Sequence, residues 1–207
     1  MGNDTRRRWE EKHRREHSAG PRPTLEWVAA AANTHRRPHP IALDLACGQG
    51  RHSAELLNAG YDVIAADISA NALGRLRSRC AGLGGSLLAA QTDLDTWPFA
   101  AGCFDLTVQI DYLERSLLDP IKRSTRPGGL VLVDTFLDDP AARTTGEPRA
   151  HGPSNPDYLL RPGELDDIFR DWTVIESGQW ADPVPRAAVL ARWDGPLTSG
   201  PRLDTRG

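Results

Sequence analysis

The sequence is short of cysteine, lysine and long apolar segments, and each shortage excludes a class of protein. No apolar run reaches the roughly 18 residues that a membrane-spanning helix needs. The three cysteines lack the spacing of a metal site, and their odd number favours a reducing compartment. A net charge of −3 at pH 7 argues against a nucleic-acid surface built on bulk positive charge. We therefore expect a cytoplasmic protein with no bound metal and with no membrane or nucleic-acid partner, whose oligomeric state the sequence leaves open.

Composition divides the 207 residues into three parts. Residues 1–23 are polar and dense in charge, have Trp9 as their one large apolar group, and contain no apolar segment of a secretory signal. Residues 24–194 form the domain, and residues 195–207 are predicted to be a disordered tail. Residues 137–162 form a long polar stretch rich in proline and glycine. We expect this stretch and the N-terminal segment to cover the functional site together as a lid.

Short apolar runs alternate with helical stretches along the domain. The runs lack the polar alternation of a half-exposed sheet, which is typical of strands covered on both faces. Strands separated by helices indicate βαβ units and a parallel sheet, and hence an α/β fold. We predict strands at 41–46, 61–67, 86–91, 104–110, 129–136, 173–180 and 187–193, and the last two form a hairpin-like pair around Asp182-Pro183. We predict a helix that begins at Leu25, and further helices at 51–58, at 70–80, at 114–126 and at 163–171. Thr24 is the predicted N-cap of the first helix, and Ser69 is the predicted N-cap of the helix that ends at Cys80.

The segment LDLACGQGRH leaves a strand, turns through two glycines and enters a helix. Gly48 and Gly50 let the backbone turn tightly and approach a ligand, and the helix N-terminus beyond them offers unpaired N–H groups. Ser53 stands where the dinucleotide fingerprint needs a third glycine. Asp44 would repel a pyrophosphate, whereas Asp67, at the end of the second strand, is placed for the two hydroxyls of a ribose. The combination predicts a positively charged cofactor that contains ribose and no phosphate.

These features, in this order, resemble the class I S-adenosylmethionine-dependent methyltransferases. The matching stretches are ALDLACGQGRHS, GYDVIAADIS, QTDLD, FDLTVQIDYLERS and TRPGGLVLVDTF. The later NPDYLLRPGELDDIF is similar to the small bacterial branch related to the tellurite-resistance methyltransferase. The resemblance covers about residues 40–195 and implies a Rossmann-like sheet of seven strands in the order 3-2-1-4-5-7-6, with helices on both faces and only the last strand antiparallel.

The resemblance assigns five residues to the methionine moiety and the ribose of the cofactor. The turn and the methionine moiety would be lined by Asp44, Ala46, Gly48 and Gly50. Asp67 would bind both ribose hydroxyls. Ala46 stands where many relatives have a glycine, and alanine is small enough for the same place.

Five further residues are assigned to the adenine ring and the transferable methyl group. Ile68 would flank the adenine, Asp93 would accept from its amino group, and the Leu94 N–H would reach a ring nitrogen. Gln109 and Ile110, at the end of the fourth strand, would face the methyl group. Asp93 has an alternative interpretation as a turn or cap residue.

The acceptor side is predicted less closely, because this fold hosts many chemistries. Tyr112, Arg115 and Tyr158 are candidates to reach the acceptor, with helix-start or surface positions as the alternative. His52 is the candidate general base if a hydroxyl or amine is methylated, with a place on the helix surface as the alternative.

The resemblance implies methyl transfer from S-adenosylmethionine to a small-molecule acceptor by in-line displacement. The protein would supply alignment and exclusion of water. One alternative is an NAD(P)-dependent Rossmann oxidoreductase. Ser53 counts against it, and so does the absence of a Tyr-x-x-x-Lys pair, since Lys12 and Lys122 are the only lysines. The other alternative is a non-catalytic regulatory subunit that binds the cofactor and turns residues 137–162 toward a protein.

Overall fold

The computed structural model describes residues 3–15, 22–31, 37–138, 152–181 and 184–195. Its centre is a seven-stranded sheet in the order β3-β2-β1-β4-β5-β7-β6. Strand β7 runs antiparallel to both of its neighbours, and the other neighbouring strands are parallel. The strands are β1 (Ile41–Leu45), β2 (Asp62–Asp67), β3 (Leu87–Gln91), β4 (Phe104–Ile110), β5 (Thr125–Phe136), β6 (Thr173–Trp180) and β7 (Arg186–Arg192). The predicted fold class, strand order and single antiparallel strand are confirmed.

Six α-helices accompany the sheet within the described residues. They are α1 (Asn3–Arg15), α2 (Leu25–Ala31), α3 (Arg51–Asn58), α4 (Ala70–Cys80), α5 (Leu118–Ser124) and α6 (Glu164–Ile168). None of the described helices is long and apolar enough to cross a membrane. The predicted cap of α4 is confirmed, because the Ser69 hydroxyl accepts the Ala72 N–H at 3.1 Å.

Apolar side chains cover both faces of the sheet, as the non-alternating runs predict. On one face, Leu56 of α3 and Leu76 of α4 pack in the same buried cluster as Val108 of β4. On the other face, Ile121 of α5 packs in a buried cluster with Val131 of β5. Both faces of the sheet are therefore covered by apolar side chains, and Asp44, Asp67 and Asp134 lie at or near the carboxyl ends of their strands.

The structure corrects the region predicted as one helix at 114–126. A short 3-10 helix (Arg115–Leu117) precedes α5, and β5 already begins at Thr125. The hydroxyls of Ser124 and Thr125 both donate to the Ile121 carbonyl at 2.9 Å, so they occupy the end of the helix instead of extending it. Helix α6 is also shorter than predicted, since it ends at Ile168.

Several sequence predictions fall on parts of the chain that the structure does not describe. They are the hairpin turn at 182–183, the tail from 196 onward, and residues 139–151 of the long polar stretch. Thr24, the predicted N-cap of α2, is described, and its hydroxyl donates to Asp134 Oδ2 at 2.7 Å. This contact joins the start of α2 to the end of β5.

Candidate functional site

A cavity of about 1100 Å³ lies at the carboxyl ends of the parallel strands. The turns after β1, β2, β3, β4 and β5 contribute to its lining, together with α1 and the segment 152–158. Sites for one drug-sized ligand are usually roughly 300–1,000 Å³. The cavity therefore has room for a cofactor and a second small molecule at the switch point between β1 and β4, where ligands of open α/β sheets bind.

The turn after β1 is joined to the end of β2 by one carboxylate. Gly48, at φ 54°, donates its backbone N–H to Asp67 Oδ2 at 2.8 Å. The other oxygen of Asp67 accepts the Ser69 N–H at 2.8 Å. Asp67 is 5% exposed and lines the cavity together with Ala46 and Gly48. Three of the predicted cofactor residues are therefore brought together, with the carboxylate of Asp67 fixed in orientation.

Asp44 and Gly50, also predicted to line the methionine moiety, do not line the cavity. Asp44 is buried and accepts the Ser53 hydroxyl at 2.5 Å, and burial raises the pKa of its carboxyl to about 7. Gly50 has φ 75°, and a Cβ there would lie 2.6 Å from Leu76 Cγ. Both residues support the turn after β1 on the side away from the cavity. Asp44 is bonded to Ser53 in the first turn of α3, and the missing side chain of Gly50 lets Leu76 of α4 pack against the loop.

The predicted adenine residues are gathered at the ends of β2 and β3. Ile68, Asp93 and Leu94 all line the cavity. Asp93 also accepts the Asp95 N–H at 3.2 Å, so it caps the short 3-10 helix (Leu94–Thr96). The structure therefore places Asp93 where both of its interpretations predict it, and its contact with adenine stays a prediction.

Of the pair predicted to face the methyl group, only Ile110 lines the cavity. Gln109 is fully buried, with Leu45 and Val133 beside it in the neighbouring strands. Neither Nε2 nor Oε1 of its side chain has a hydrogen-bond partner among the described residues. Successive side chains of a strand point to opposite faces, so residue 110 turns toward the cavity and residue 109 into the apolar layer below it.

The three residues predicted to reach the acceptor also differ in whether they line the cavity. Tyr112 and Tyr158 line the cavity, and Arg115 does not. Arg115 instead pairs with Glu164, with Nε 2.6 Å from Oε1, and donates to the carbonyl of Leu159 at 2.8 Å. Its guanidinium ties the segment after β4 to the start of α6. Arg115 therefore serves the packing of this region, because its donors are engaged away from the cavity.

His52, the candidate general base, is buried at the cavity wall. Burial, followed by the positive charge of Arg51, lowers the pKa of its imidazole to about 3. Its Nε2 has no hydrogen-bond partner among the described residues. His52 is therefore neutral at pH 7 and is a hydrogen-bonding group at the site, but a weak base.

The structure adds a charged cluster that the sequence analysis missed. Arg22, Arg51 and Arg186 all pair with the carboxylate of Asp111, the first at 2.7 Å and the last at 2.8 Å. Arg186 Nε also donates to Asp134 Oδ1 at 2.8 Å. The sequence offered one indication of this cluster, which depends on the strand order. Asp111 and Asp134 both follow buried runs, at the ends of strands that are parallel neighbours in the sheet.

Two non-glycine residues of the cavity wall have left-handed backbone conformations. Ala46 has φ 53° and Asp111 has φ 58°. They follow β1 and β4, which are neighbours in the sheet. Such strain costs of order 1–3 kcal/mol and clusters at functional sites, so its presence at two adjacent strand ends supports this edge as the site.

Helix α1 reaches the rim of the cavity through residues 8–10. Arg8 and Trp9 line the cavity. Glu10 accepts the Ser69 hydroxyl at 2.9 Å and the Ala70 N–H at 2.6 Å, so its carboxylate lies at the N-terminus of α4. Burial raises the pKa of Glu10, but the hydrogen bonds from Ser69, Asn71 and Ala70 together hold it below its ordinary value. The charged side chain of Glu10 thus docks α1 onto the start of α4.

The strand order, the glycine turn and the carboxylate at the end of β2 are those of the class I methyltransferase architecture. Residues 42–129 match the family model described as "Methyltransferase domain". Among curated proteins, a demethylmenaquinone methyltransferase from Beutenbergia cavernae is 36% identical over 112 residues, which make up 51% of this chain and 45% of that protein. The chain thus spans about half the length of this relative.

Solved structures with the same fold include a SAM-dependent methyltransferase from Methanosarcina mazei, with a TM-score of 0.62 and 16% identity over 84% of this chain and 99% of that one. TehB from Haemophilus influenzae has a TM-score of 0.62 and 23% identity over 82% of this chain and 62% of its own. Residues 42–129 therefore match a methyltransferase domain, the sheet has the fold of known SAM-dependent methyltransferases, and the resemblance inferred from the motifs is confirmed.

Proposed function

We propose that this chain binds S-adenosylmethionine and transfers its methyl group to a small-molecule acceptor. The observation that carries the proposal is the bond between the Gly48 N–H and Asp67 at the edge of the cavity. This bond supports the proposal because a backbone turn suited to the methionine part then lies next to a carboxylate suited to the ribose hydroxyls. When bound, S-adenosylmethionine supplies a methyl group made electrophilic by its sulfonium.

The residues at the end of β2 and β3 fit the adenosine part of this cofactor. Ile68 and Leu94 offer apolar surface for a flat ring, and Asp93 offers an acceptor for its amino group. A dinucleotide would also place a ribose at a carboxylate such as that of Asp67, so the distinction from NAD rests on the glycine turn. Ser53, which replaces the third glycine of the dinucleotide pattern, is buried and bonded to Asp44.

The remaining part of the cavity fits a small acceptor. It is bounded by Trp9 of α1, Phe136 at the end of β5, Tyr158 of the 152–158 segment and Trp180 of β6. These groups would exclude water from the reacting methyl group and align the acceptor with it. We propose that α1 and the segment that contains Tyr158 act as the lid expected from the sequence. The neutral imidazole of His52 can hydrogen-bond the acceptor without changing its charge.

We place the reaction in the cytoplasm. Cys47, Cys80 and Cys103 are all free thiols, as in proteins of a reducing compartment.

Calorimetry with S-adenosylhomocysteine and NAD tests the cofactor. We expect binding of S-adenosylhomocysteine and no heat with NAD; tighter binding of NAD would contradict the proposal and favour an oxidoreductase. Incubation with radiolabelled S-adenosylmethionine and small-molecule extract then tests turnover. Cofactor binding without label transfer to any extract would favour a regulatory subunit.

A further inference from the structure

The cavity is divided into a negative half and a positive half. Its charged lining consists of the aspartates Asp67, Asp93, Asp111 and Asp134 and the arginines Arg8, Arg22, Arg51 and Arg186. Two of the aspartates, Asp67 and Asp93, lie at the β2 and β3 ends, where the cofactor is proposed to bind. The other half, at the ends of β4, β5 and β7, contains Arg22, Arg51 and Arg186, which we call the arginine cluster.

The arginine cluster has more positive charge than its own carboxylates balance. Among the residues that the structure describes, its three guanidiniums face two acids, Asp111 and Asp134, so that one positive charge is left over. Burial would raise the pKa of Asp111, but the arginines hold it below its usual range. This carboxylate is therefore ionised, and its negative charge is included in the balance above. His52, the nearby imidazole, is neutral and does not change the balance.

This excess charge lies in a poorly solvated place. The side chain of Arg186 is 6% exposed, and its guanidinium lies 4.6 Å from the centre of the Phe136 ring. Arg186 Nη1 and Arg22 Nε are buried and have no hydrogen-bond partner among the described residues. Burying charge without compensation is costly, and a nearby anion offsets the cost by Coulomb attraction.

Two members of the cluster remain reachable from the cavity. The side chains of Arg22 and Arg51 are 31% and 20% exposed, and both line the cavity. Guanidinium groups bind carboxylate and phosphate oxygens in pairs of charge-assisted hydrogen bonds. The cofactor as a whole brings no net negative charge, because its sulfonium and ammonium groups outnumber its single carboxylate. Only that carboxylate could pair with the cluster, and the experiment below tests this case.

We propose that the methyl acceptor is an organic acid whose carboxylate or phosphate is held by Arg22 and Arg51, with its apolar body against Trp9 and Tyr158. This inference rests on the proposed function, since it names the acceptor class of the same site. Arg186, buried behind them against Asp134, is a positioning residue that keeps Asp111 and the two reachable arginines in place.

The experiment compares matched acids and a neutral analogue. Protein saturated with S-adenosylhomocysteine is titrated calorimetrically with benzoate, phenyl phosphate and benzamide. We expect at least one of the two anions to bind roughly tenfold more tightly than benzamide. Arg22→Gln and Arg51→Gln should each remove most of this difference. Arg123→Gln, on the exposed surface of α5, is the matched control and should retain it.

Three results overturn the inference: no preference for either anion, a preference that survives both substitutions, or an equal loss in the control. The cofactor's own carboxylate is the competing source of negative charge. If it occupied the cluster, Arg22→Gln and Arg51→Gln would weaken binding of S-adenosylhomocysteine and spare 5′-methylthioadenosine, which lacks that carboxylate; this result would also overturn the inference.

The failure of the inference is distinguishable from failure of the proposed function. The same anions are titrated into protein without S-adenosylhomocysteine, and circular dichroism checks that each variant is folded. Protein that prefers anions but does not bind S-adenosylhomocysteine would contradict the proposed function alone. Protein that binds S-adenosylhomocysteine but treats benzoate, phenyl phosphate and benzamide alike would contradict only the acceptor class.

Discussion

The backbone N–H of Gly48 donates to the carboxylate of Asp67 at 2.8 Å, across 19 positions of sequence. This bond fixes the turn after β1 relative to the end of β2. It also means that the residue proposed to bind ribose is oriented before any cofactor arrives, so little ordering entropy would be lost at Asp67 on binding.

Substitution of Asp67 tests the ribose contact. We expect Asp67→Ala to weaken S-adenosylhomocysteine binding by roughly 2–4 kcal/mol, because hydrogen bonds to a charged group are worth about 1.5–3 kcal/mol each before non-additivity. Asp62→Ala, at the amino end of the same strand, removes a carboxylate that accepts the Ser86 N–H at 2.7 Å and is the control. Calorimetry on both variants gives the comparison. An unchanged dissociation constant for Asp67→Ala would remove this residue from the site.

Substitution of Gln109 tests the sequence prediction that its side chain faces the methyl group against the buried position that the structure gives it. Its amide atoms are buried without partners among the described residues, so Gln109→Met should leave the free energy of unfolding unchanged or raise it. Cofactor affinity and turnover should stay unchanged as well, because the side chain lies outside the cavity lining. Urea unfolding and the methyl-transfer assay measure the two effects. Loss of turnover with intact stability would restore the prediction that Gln109 faces the methyl group.

Asp44 should make stability depend on pH. Its pKa is about 7 in the folded protein and about 3.8 when unfolded, so the folded state binds this proton more tightly. Its contribution to stability is full below pH 3.8 and falls as the pH rises to 7, by on the order of 4 kcal/mol at most. Urea unfolding at several pH values, with Asp44→Asn as the reference, isolates this group from His52, which titrates in the opposite sense. A constant difference between the two proteins would contradict the assignment.

Glu10 tests whether α1 acts as a lid. Hydrogen exchange in residues 3–15 should slow when S-adenosylhomocysteine is added, because Trp9 and Arg8 line the cavity. Glu10→Ala removes the carboxylate that bonds to Ser69 and Ala70, and should accelerate this exchange and lower turnover more than cofactor affinity. Asp4→Ala, which removes an ion pair within α1, is the control. Exchange that is indifferent to ligand in the parent protein would end the lid proposal.

Local sequence patterns determined the elements and most of the cofactor half. The apolar runs predicted seven strands because a strand buried on both faces needs no polar alternation. Gly48 and Asp67 were predicted for the site from a turn and a strand end, which are local properties. Asp44, Gly50 and Gln109 were predicted on the same local grounds, but they lie outside the cavity lining. The motif and the strand fix their place in the sequence, whereas their place relative to the cavity depends on what packs around them.

The acceptor half was decided by tertiary structure alone. Arg22, Arg51, Asp111 and Arg186 are distant in sequence, and the motifs around Arg51 and Asp111 give no sign that these side chains pair. The cluster is completed because β7 returns antiparallel beside β5 and brings Arg186 opposite Phe136. Conversely, Arg115 has the position of an acceptor residue in sequence but is drawn away by Glu164. Sequence by itself determines which residues end each strand, since that follows from where each apolar run stops. Only the packed sheet determines which strand ends become neighbours. The charged side chains at those ends compensate one another through space, so their pairing does not follow from their order along the chain.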